Sequence, residues 1–425
     1  MNSPIVFTGL GAVCGAGKTV EEIFEAIIGG RSAIKEISAW DASCWPRRLA
    51  AEITGVDNRT LVEDRKLHKM ISKTDMFGLY AANTALQQSG LAAHRASLDT
   101  ATAVQFSDRS GIFAGSGGGN YSCNYDFFPA LAAAAGDLKK FGGQFSESVN
   151  PMWLLRNLPN NVLCHVGIRH NFKGANACIT NHCVSGALAV AEAAAVIGAG
   201  EADRAVAVGH DAPLEPESLQ HFQRLDLLAA QMLRPFDRDR DGTVFGEGAA
   251  ALVLEKATDA QARGAKILGE WLGSGCVTEA TGVLKIRPDG DGVSRAIEMA
   301  LVDAGVSRNE IGLIVAHGNG TRASDVSEAA GIRHVFGDKI PPVTGFKWAY
   351  GHLIAASGII DLVFALTALQ RKIVPAIPVL DLIDPEIAPF PVSQTAQIPR
   401  GDCALVVCRG FGGMNVALIV RAFPA

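Results

Sequence analysis

A cysteine stands where the chain passes from a short apolar run into a long stretch of small residues. The segment ACITNHCVSGALAV, residues 177–190, contains Cys178 and Cys183, and the residues 185–200 that follow have the composition of a buried helix. Cys183 would lie at the N-terminus of that helix, where unpaired N–H groups and the helix dipole lower a thiol pKa. We therefore expect Cys183 to be a nucleophile and Cys178 to belong to the preceding strand. The alternative for Cys183 is a small core residue without chemistry.

Two histidines occupy positions suited to assisting such a thiol. A cysteine nucleophile usually works with a histidine that is close in space but distant in sequence. His317 follows the apolar run LIVA and precedes Gly318, at the end of a predicted strand where open α/β sheets place their sites. His352 lies in KWAYGHLIAASG, again at a glycine before a run of small residues. His182 adjoins Cys183, but neighbouring side chains on an extended segment point to opposite faces, so we expect it not to be the partner.

The glycine-rich segments do not match nucleotide-binding motifs, and the cysteines do not match metal-binding ones. GLGAVCGAGKT (9–19) is similar to a phosphate-binding loop, but that loop requires glycine where Ala12 stands. GSGGGN (115–120) lacks the GxGxxG spacing of dinucleotide-binding turns. The nine cysteines include no CxxC pair and no cysteine–histidine spacing of the zinc type, so we predict no metal site.

The composition argues against several classes of protein. The 425 residues carry a net charge of −5, and no basic tract is present, so nucleic acid is not an expected partner. The start, MNSPIVFTGLGAV, lacks the features of a signal peptide. The apolar stretch 353–369 carries Asp361 and is interpreted as a buried helix rather than a membrane span. An odd number of cysteines without a signal peptide favours reduced thiols and a cytoplasmic location.

Strand and helix patterns alternate along the chain and then repeat. In the first half, apolar strand runs at 5–13, 110–117 and 204–211 alternate with helical patterns at 76–91 and 185–200. In the second half, a helical pattern at 292–306 precedes a strand and glycine loop at 311–321, and 412–423 has the same glycine-rich entry and apolar run as 246–257. We therefore predict a mostly parallel sheet with helices on its faces, built from two similar halves. Residues 1–258 would carry the nucleophile, and residues 259–425 would carry the two histidines.

Several signatures in order along the chain resemble those of the β-ketoacyl-acyl-carrier-protein synthases, or ketosynthases, of the condensing-enzyme family. They are Cys-x-Ser-Gly at 183–186, RPFDRDRDGTVFGEGAA at 234–250, HGNGT at 317–321 with Asp325 and Glu328 following, K-x-x-x-x-H-L at 347–353, and GFGGMN at 410–415. The resemblance covers nearly the whole chain. It implies an α/β thiolase fold, in which duplicated βαβαβαββ halves form αβαβα layers.

The resemblance also implies a role for each matching residue. By this resemblance, Cys183 is the acyl-accepting nucleophile, and His317 and His352 assist decarboxylation of a malonyl unit. Lys347 and Glu328 are a charged pair that supports the histidines, and Thr321 contacts phosphopantetheine with Asn319 beside it. Phe411 is a gate, and its N–H completes an oxyanion hole with the N–H of Cys183. The activity implied is a decarboxylative Claisen condensation of a Cys-bound acyl chain with malonyl on acyl carrier protein, in fatty-acid, polyketide or polyene biosynthesis. The alternative is a non-condensing, chain-length-factor-like subunit of a heterodimer.

The same resemblance implies no cofactor beyond the phosphopantetheine of the carrier protein, and a homodimer or a ketosynthase heterodimer. Carrier proteins are acidic, so a local basic patch is expected, for which Arg65, Lys66, Lys69 and Lys73 are candidates.

The chain departs from the family pattern at four places, one of which is Asp226, where many relatives carry a basic residue. Asn181-His182 precedes the nucleophile where Thr-Ala is common, Asn319 replaces a threonine, and Arg409 precedes the Gly-Phe-Gly-Gly turn, where it would change the gate. We interpret these departures as marks of a specialised rather than a housekeeping synthase. The acyl primer, the extender and the pathway are not encoded in any motif that we recognise.

Overall fold

The computed structural model describes residues 3–118 and 121–423, without the side chains of residues 121–123. Its strands are β1 (Ile5–Cys14), β2 (Lys35–Glu36), β3 (Leu49–Ala50), β4 (Ser110–Ser116), β5 (Asn176–Ile179), β6 (Arg204–Asp211), β7 (Gly248–Lys256), β8 (Gly269–Thr278), β9 (Ile311–Val315), β10 (Val343–Thr344), β11 (Cys403–Gly410) and β12 (Met414–Ala422).

Its helices are α1 (Val20–Ile28), α2 (Asn58–Leu61), α3 (Lys73–Ser89), α4 (Leu91–Ala96), α5 (Thr100–Asp108), α6 (Phe128–Ala134), α7 (Leu138–Ser148), α8 (Trp153–Arg156), α9 (Asn161–His170), α10 (Ser185–Gly198), α11 (Pro216–Arg224), α12 (Ala257–Ala262), α13 (Asp291–Ala304), α14 (Arg322–Phe336), α15 (Lys347–Tyr350) and α16 (Ser357–Gln370).

The two halves of the chain have the same topology, as the sequence repeats predict. The strand order is β10-β9-β11-β12-β8-β1-β7-β6-β4-β5, so the halves meet where β8 pairs with β1. The chain runs β1-α3-β4-α9-β5-α10-β6-β7 and then β8-α13-β9-α14-β10-α16-β11-β12, which is βαβαβαββ twice. The predicted boundary between residues 258 and 259 falls within α12, between the last strand of one half and the first strand of the next.

The prediction of a mostly parallel sheet is wrong in its details. β4 is parallel to β5 and β6, and β9 is parallel to β10 and β11, but the remaining pairs of the large sheet are antiparallel. The physical reason is visible between β11 and β12, which are joined only by residues 411–413. A connection this short can link antiparallel strands but not parallel ones.

Two buried helices lie between the halves of the sheet. α10 packs on β4 and β6, α16 packs on β11 and β12, and the two helices contact each other. On the outer faces, α3 covers β1 and β7, and α13 covers β8 and β12. The outcome is the αβαβα layering that the thiolase fold implies. Because α16 is covered on all sides, its sequence is largely apolar around the whole circumference, whereas α10 exposes Glu192 and Ala195 on the side away from the core.

Most of the predicted elements are present, with boundaries set by local signals. The strand predicted at 204–211 is β6, and the helix predicted at 76–91 is α3, which begins at a Ser72–Asp75 capping box. Gly90 ends α3 in the left-handed conformation, with φ +70°. Within the described residues, no helix is both long enough and apolar enough to cross a membrane.

The RPFDRDRDG segment ties the first half of the chain to the second. Arg240 is buried and lies 2.5 Å from Asp384 and 3.3 Å from Asp325, measured between guanidinium nitrogens and carboxylate oxygens. Asp325 also accepts the N–H of Phe236 at 2.8 Å. This signature therefore serves the packing of the site loops rather than the chemistry.

Candidate active site

Cys183 lies in a tight turn immediately before α10. A single 3-10 turn, His182–Val184, joins β5 to the helix, and Ser185 binds the turn together. The Ser185 hydroxyl accepts the N–H of Asn181 at 2.8 Å and donates to the carbonyl of His182 at 2.7 Å. Cys178 lies on β5 as predicted, with its thiol donating to the carbonyl of Pro159 at 3.2 Å.

The lowered pKa expected for the Cys183 thiol is not found. The side chain is 3% exposed, and burial raises its pKa well above the usual value. Lys347 acts in the opposite direction, but it is outweighed by burial. Burial therefore favours the protonated thiol at Cys183, because removal from water penalises the thiolate.

The prediction that His182 points away from Cys183 is wrong. His182 Nδ1 lies 2.9 Å from Cys183 Sγ. The prediction assumed an extended backbone, whereas His182 has φ +48°, which is the left-handed conformation. That conformation turns two consecutive side chains toward the same side of the chain, so the alternation of a strand does not apply here.

His317 follows β9 after one residue, as the sequence predicts, and is buried. Its Nδ1 accepts the backbone N–H of Arg409 at 3.4 Å, which leaves the ring proton on Nε2. Burial, followed by the charge of Lys347, lowers its pKa well below the usual value. His317 is therefore a neutral imidazole with one N–H donor.

His352 has the same protonation for a similar reason. Its Nδ1 accepts the N–H of Ile354 at 3.1 Å and lies 2.8 Å from the Ser357 hydroxyl. Burial and then Lys347 lower the pKa of this histidine too. The ring centroids of His317 and His352 are 5.1 Å apart, with an interplanar angle of 83°. The two distant histidines are thus brought together as neighbouring N–H donors.

The turns before α10 and α16 repeat the same local geometry. Each helix begins with Ser-Gly after a 3-10 turn, and each turn contains one left-handed residue, His182 with φ +48° or Ile354 with φ +43°. Ser357 accepts the N–H of Leu353 at 3.0 Å, just as Ser185 accepts that of Asn181. The duplication therefore places Cys183 on one copy of the turn and His352 beside the other.

Lys347 and Glu328 are both buried, but they have different partners. The Lys347 ammonium lies 2.6 Å from Asp361, whose other oxygen accepts the Tyr350 hydroxyl at 2.6 Å. Glu328 accepts the backbone N–H groups of His317 and Gly318 at 2.6 and 2.9 Å. Asp361 is the residue that the sequence reasoning missed in this role. The available signal was a carboxylate within an otherwise apolar helical stretch, which requires a buried partner.

The side chains converge on a cavity of about 190 Å³. Its lining includes Cys183, His317, His352, Asn319, Thr321 and Phe411. Asn319 Oδ1 accepts the N–H and the hydroxyl of Thr321 at 3.0 and 2.9 Å, so the two predicted pantetheine contacts support each other. The segment 283–286, which is apolar except for Lys285, forms part of the wall, and Val283 and Leu284 are exposed.

A second cavity of about 570 Å³ lies on the other side of an aromatic cluster. The Phe411 ring lies 5.1 Å from the His182 ring and 6.0 Å from that of Phe222, centroid to centroid. His182 and Phe222 line the second cavity, whereas Phe411 lines the first. Movement of the Phe411 ring would therefore change the connection between the two spaces.

Arg409 is anchored beneath the Gly-Phe-Gly-Gly turn. Its guanidinium contacts Glu279 at 3.0 Å, Asn415 at 2.8 Å and the Ser324 carbonyl at 2.7 Å. These contacts hold the turn against β8 and α14, while the Arg409 backbone N–H fixes the ring of His317. An effect of Arg409 on the gate remains a prediction.

The proposed basic patch is only partly available to a partner. Arg65, Lys66 and Lys69 are exposed. Lys73 lies 2.6 Å from the buried Glu247 and lines the second cavity, so its charge is already neutralised.

Comparisons with known proteins agree with the fold and with the signatures. Residues 2–260 match the family described as "Beta-ketoacyl synthase, N-terminal domain", and residues 268–381 match "Beta-ketoacyl synthase, C-terminal domain". The chain is 30% identical to the 3-oxoacyl-[acyl-carrier-protein] synthase 2 of Vibrio cholerae, with 98% of each chain covered. It is 31% identical to the enzyme of the same name from Synechocystis, with 99% of this chain and 98% of the relative covered.

Solved structures extend this agreement to three dimensions. The ishigamide ketosynthase/chain length factor superposes with a TM-score of 0.87 at 26% identity, with 100% of both chains covered. A beta-ketoacyl synthase from Burkholderia phymatum gives 0.86 at 27% identity, with 99% of this chain and 100% of that chain covered. The chain belongs to the beta-ketoacyl synthase family of acyltransferases, which form carbon–carbon bonds.

Proposed function

We propose that this protein is a β-ketoacyl-acyl-carrier-protein synthase in which Cys183 accepts the acyl chain. The single observation that carries the proposal is the convergence of Cys183, His317 and His352 on one cavity from three distant points in the sequence. The acyl-carrier-protein-dependent relatives support a carrier protein as the source of both substrates. No group beyond the phosphopantetheine of that carrier is required by the residues named here.

In the first half-reaction, the Cys183 sulfur attacks the thioester carbonyl of an acyl carrier. The tetrahedral intermediate carries an oxyanion, which the backbone N–H groups of Cys183 and Phe411 would stabilise from the wall of the cavity. Loss of one such donor costs about 3 kcal/mol of transition-state stabilisation in other oxyanion holes. Collapse of the intermediate leaves the chain on Cys183 and releases the carrier thiol.

In the second half-reaction, a malonyl thioester loses carbon dioxide and becomes an enolate. The enolate carbon then attacks the acyl thioester on Cys183, which forms the carbon–carbon bond, breaks the C–S bond and releases the Cys183 thiolate. Two neutral imidazoles that donate N–H bonds stabilise the enolate oxygen without a metal. The hydrogen bonds to Nδ1 support this role, because they leave the proton of each ring on Nε2. Burial, and after it the positive charge of Lys347 held by Asp361, lowers the pKa of both histidines and keeps both rings neutral. Glu328 positions His317 through the backbone.

The proposal assigns the remaining residues as follows. Asn319 and Thr321 contact the phosphopantetheine arm in the first cavity, and Phe411 is the gate to the second cavity, which receives the acyl chain. Residues 1–258 and 259–425 are the two thiolase-like halves. The proposal also includes a homodimer or heterodimer and a cytoplasmic location. It places the protein in a specialised pathway because of the departures at His182, Asn319 and Arg409.

Acylation of Cys183 tests the proposal directly. The protein is incubated with acyl-loaded carrier protein and its intact mass is measured, with the Cys183→Ala variant and the Cys178→Ala variant in parallel. We expect one acyl adduct on the wild type and on Cys178→Ala, and none on Cys183→Ala. Cys178 is the matched control because it lies on the strand leading to the same turn.

Absence of the adduct on the wild type, or its persistence in Cys183→Ala, would contradict the assignment. A non-condensing partner subunit is the second candidate, and the ishigamide ketosynthase/chain length factor is the neighbour that raises it. Such a subunit would form no adduct by itself and would co-purify with an active ketosynthase.

A further inference from the structure

His182 is the one histidine whose contact with the nucleophile is not accounted for by the roles proposed above. The distance from its Nδ1 to Cys183 Sγ is 2.9 Å, well within hydrogen-bonding range for sulfur. The resemblance to ketosynthases assigns nothing to this position, which is commonly alanine. The two residues belong to the same turn, so the backbone itself brings the imidazole and the thiol together.

The turn holds His182 in a conformation that only a few residue types adopt readily. Its φ of +48° is left-handed, and the Ser185 hydroxyl fixes its carbonyl at 2.7 Å. Asparagine, aspartate and histidine are enriched in this region among residues other than glycine. The equivalent residue before α16 is Ile354, which has a similar φ of +43° but has no group that can accept a proton. The imidazole is therefore a chemical addition to a turn whose shape does not require it.

The resting pair has a proton on sulfur and a neutral imidazole beside it, and burial moves the two pKa values apart, so proton transfer has to be coupled to the attack on the thioester. Burial raises the pKa of the Cys183 thiol, and burial lowers the pKa of His182, so both groups are neutral at rest. A buried thiol in this state is a poor nucleophile unless a base takes its proton as it attacks. His317 and His352 are poorly suited to this task because their Nδ1 atoms already accept backbone N–H groups.

We infer that His182 is the general base that deprotonates Cys183 during acyl transfer, a further catalytic residue of the proposed synthase. This inference rests on the proposed role of Cys183. Nδ1 takes the proton from Sγ as the S–C bond forms at the thioester carbonyl. The C–S bond to the carrier then breaks, and the carrier thiolate takes the proton from Nδ1. One thiol is consumed and one is produced, and no oxidant or metal enters.

Other titratable groups face the pair and contribute to its pH dependence. Lys347, Asp211 and Cys408 act on the Cys183 thiol, and His352 lies close enough to interact with His182. The second cavity, which His182 lines, is also bordered by Lys73, Glu215, His221 and Glu247. The test therefore compares variants at residue 182 with the wild type at each pH, so that the contributions of these neighbours cancel.

Two variants separate the base from the shape of the turn. His182→Asn keeps a residue suited to left-handed φ and keeps a hydrogen-bond acceptor, but it cannot hold the proton at neutral pH. His182→Gly keeps the backbone unstrained and leaves room for an added imidazole to enter from the adjoining cavity. His334→Asn, an exposed histidine on α14, is the matched control.

Single-turnover acylation of Cys183 by acyl carrier is measured from pH 6 to 9. In both residue-182 variants, we expect the rate at pH 7 to fall by about 10²-fold or more and to rise continuously with pH. The wild type and His334→Asn should instead reach a plateau. Added imidazole should accelerate His182→Gly but not the wild type, which a purely structural role would not produce.

The outcomes separate this inference from the proposed function. If the wild type forms no adduct on Cys183, the proposed function fails. If the wild type is acylated and His182→Asn reacts at the same rate with the same pH profile, His182 is not the base, although Cys183 remains the nucleophile. Slow acylation of His182→Gly that imidazole does not accelerate would also overturn the inference.

Discussion

At the scale of single residues, burial decides the chemistry of this site more than charge does. Cys183, His317 and His352 are all held neutral, and the same effect acts on a carboxylate in the wall of the second cavity. Asp211 is partly buried and accepts the N–H groups of Ala212 and Ala355 at 2.9 and 3.3 Å. Even so, burial raises its pKa to about 7. Between about pH 4 and pH 7, the Asp211 carboxyl therefore keeps its proton in the folded protein and loses it in the unfolded chain.

Because the pKa of Asp211 is raised in the folded protein, its contribution to the free energy of unfolding becomes less favourable as pH rises. Between about pH 4 and pH 7, the unfolded chain loses this proton and the folded chain keeps it, so the free energy of unfolding falls through that window. The full penalty, at most about 4 kcal/mol, applies above pH 7. Asp211→Asn removes the term. We expect the Tm of the variant relative to the wild type to increase from pH 4 to pH 8.

Thermal unfolding at a series of pH values checks this, with exposed Asp338→Asn as the matched control. A Tm difference between Asp211→Asn and the wild type that stays constant with pH would show that Asp211 titrates normally in the fold.

At the scale of elements, the crossing of α10 and α16 sets the distance between Cys183 and His352. Gly186 lies at that crossing, where an added Cβ would come within 2.6 Å of the Ala355 carbonyl oxygen and 2.9 Å of Ile359. Backbone on the opposite side cannot yield as a flexible side chain would. The small residues after Cys183 are therefore required because the two helices pack closely.

We expect Gly186→Ala to lower the free energy of unfolding by about 1–3 kcal/mol and to reduce condensation more than Cys183 acylation. The reason is that the condensation step, unlike acylation, requires the Cys183 sulfur and the His352 ring to lie at the correct distance from each other. Gly198→Ala, at the other end of α10, is the matched control because its new Cβ would meet only Ile5 at 3.9 Å. Urea unfolding and the two half-reactions measured separately provide the comparison. Equal effects of the two substitutions would contradict the role of the crossing.

At the scale of the whole molecule, the halves are joined by buried charges as well as by the shared core. Arg240 lies between Asp325 and Asp384, both of which come from the second half of the chain. Removing the guanidinium takes the ion-pair partner from Asp325, which is 0% exposed, and leaves Asp384, which is 5% exposed, with only the longer 3.8 Å contact to Arg322. A buried carboxylate that has lost its ion-pair partner costs more free energy than the intact ion pair contributes. A variant that lacks only Arg240 is therefore less stable than one in which the whole charged cluster is replaced by neutral residues.

Arg240→Met is expected to reduce the free energy of unfolding by about 3–5 kcal/mol, measured by urea denaturation. Arg238→Met is the matched control, since that arginine is half-exposed and pairs with its neighbour Asp239. The control should change stability by less than about 1 kcal/mol. A similar loss in both variants would mean that the contact between the halves does not depend on Arg240.

The sequence by itself determined the family, the order of the elements and the duplication. Apolar runs with glycine at their ends predict β1, β4, β6 and β9, because a strand that is buried on both faces is apolar along its whole length. The positions of His317 and His352 after such runs also follow from the local pattern. Periodicity describes one element at a time, however, so it could not give the antiparallel pairings that make the sheet mixed.

Only the tertiary structure decided which side chains meet and how they are protonated. The pairing of Lys347 with Asp361 joins two elements, and no local pattern specifies it. The Cys183 thiol is protonated because distant parts of the chain exclude water, an effect that a helix N-terminus alone does not reveal. The contact of His182 with Cys183 depends on one left-handed φ, fixed by the Ser185 hydroxyl. A single backbone torsion therefore reversed the prediction, because it determines the direction of a side chain while leaving no pattern in the sequence.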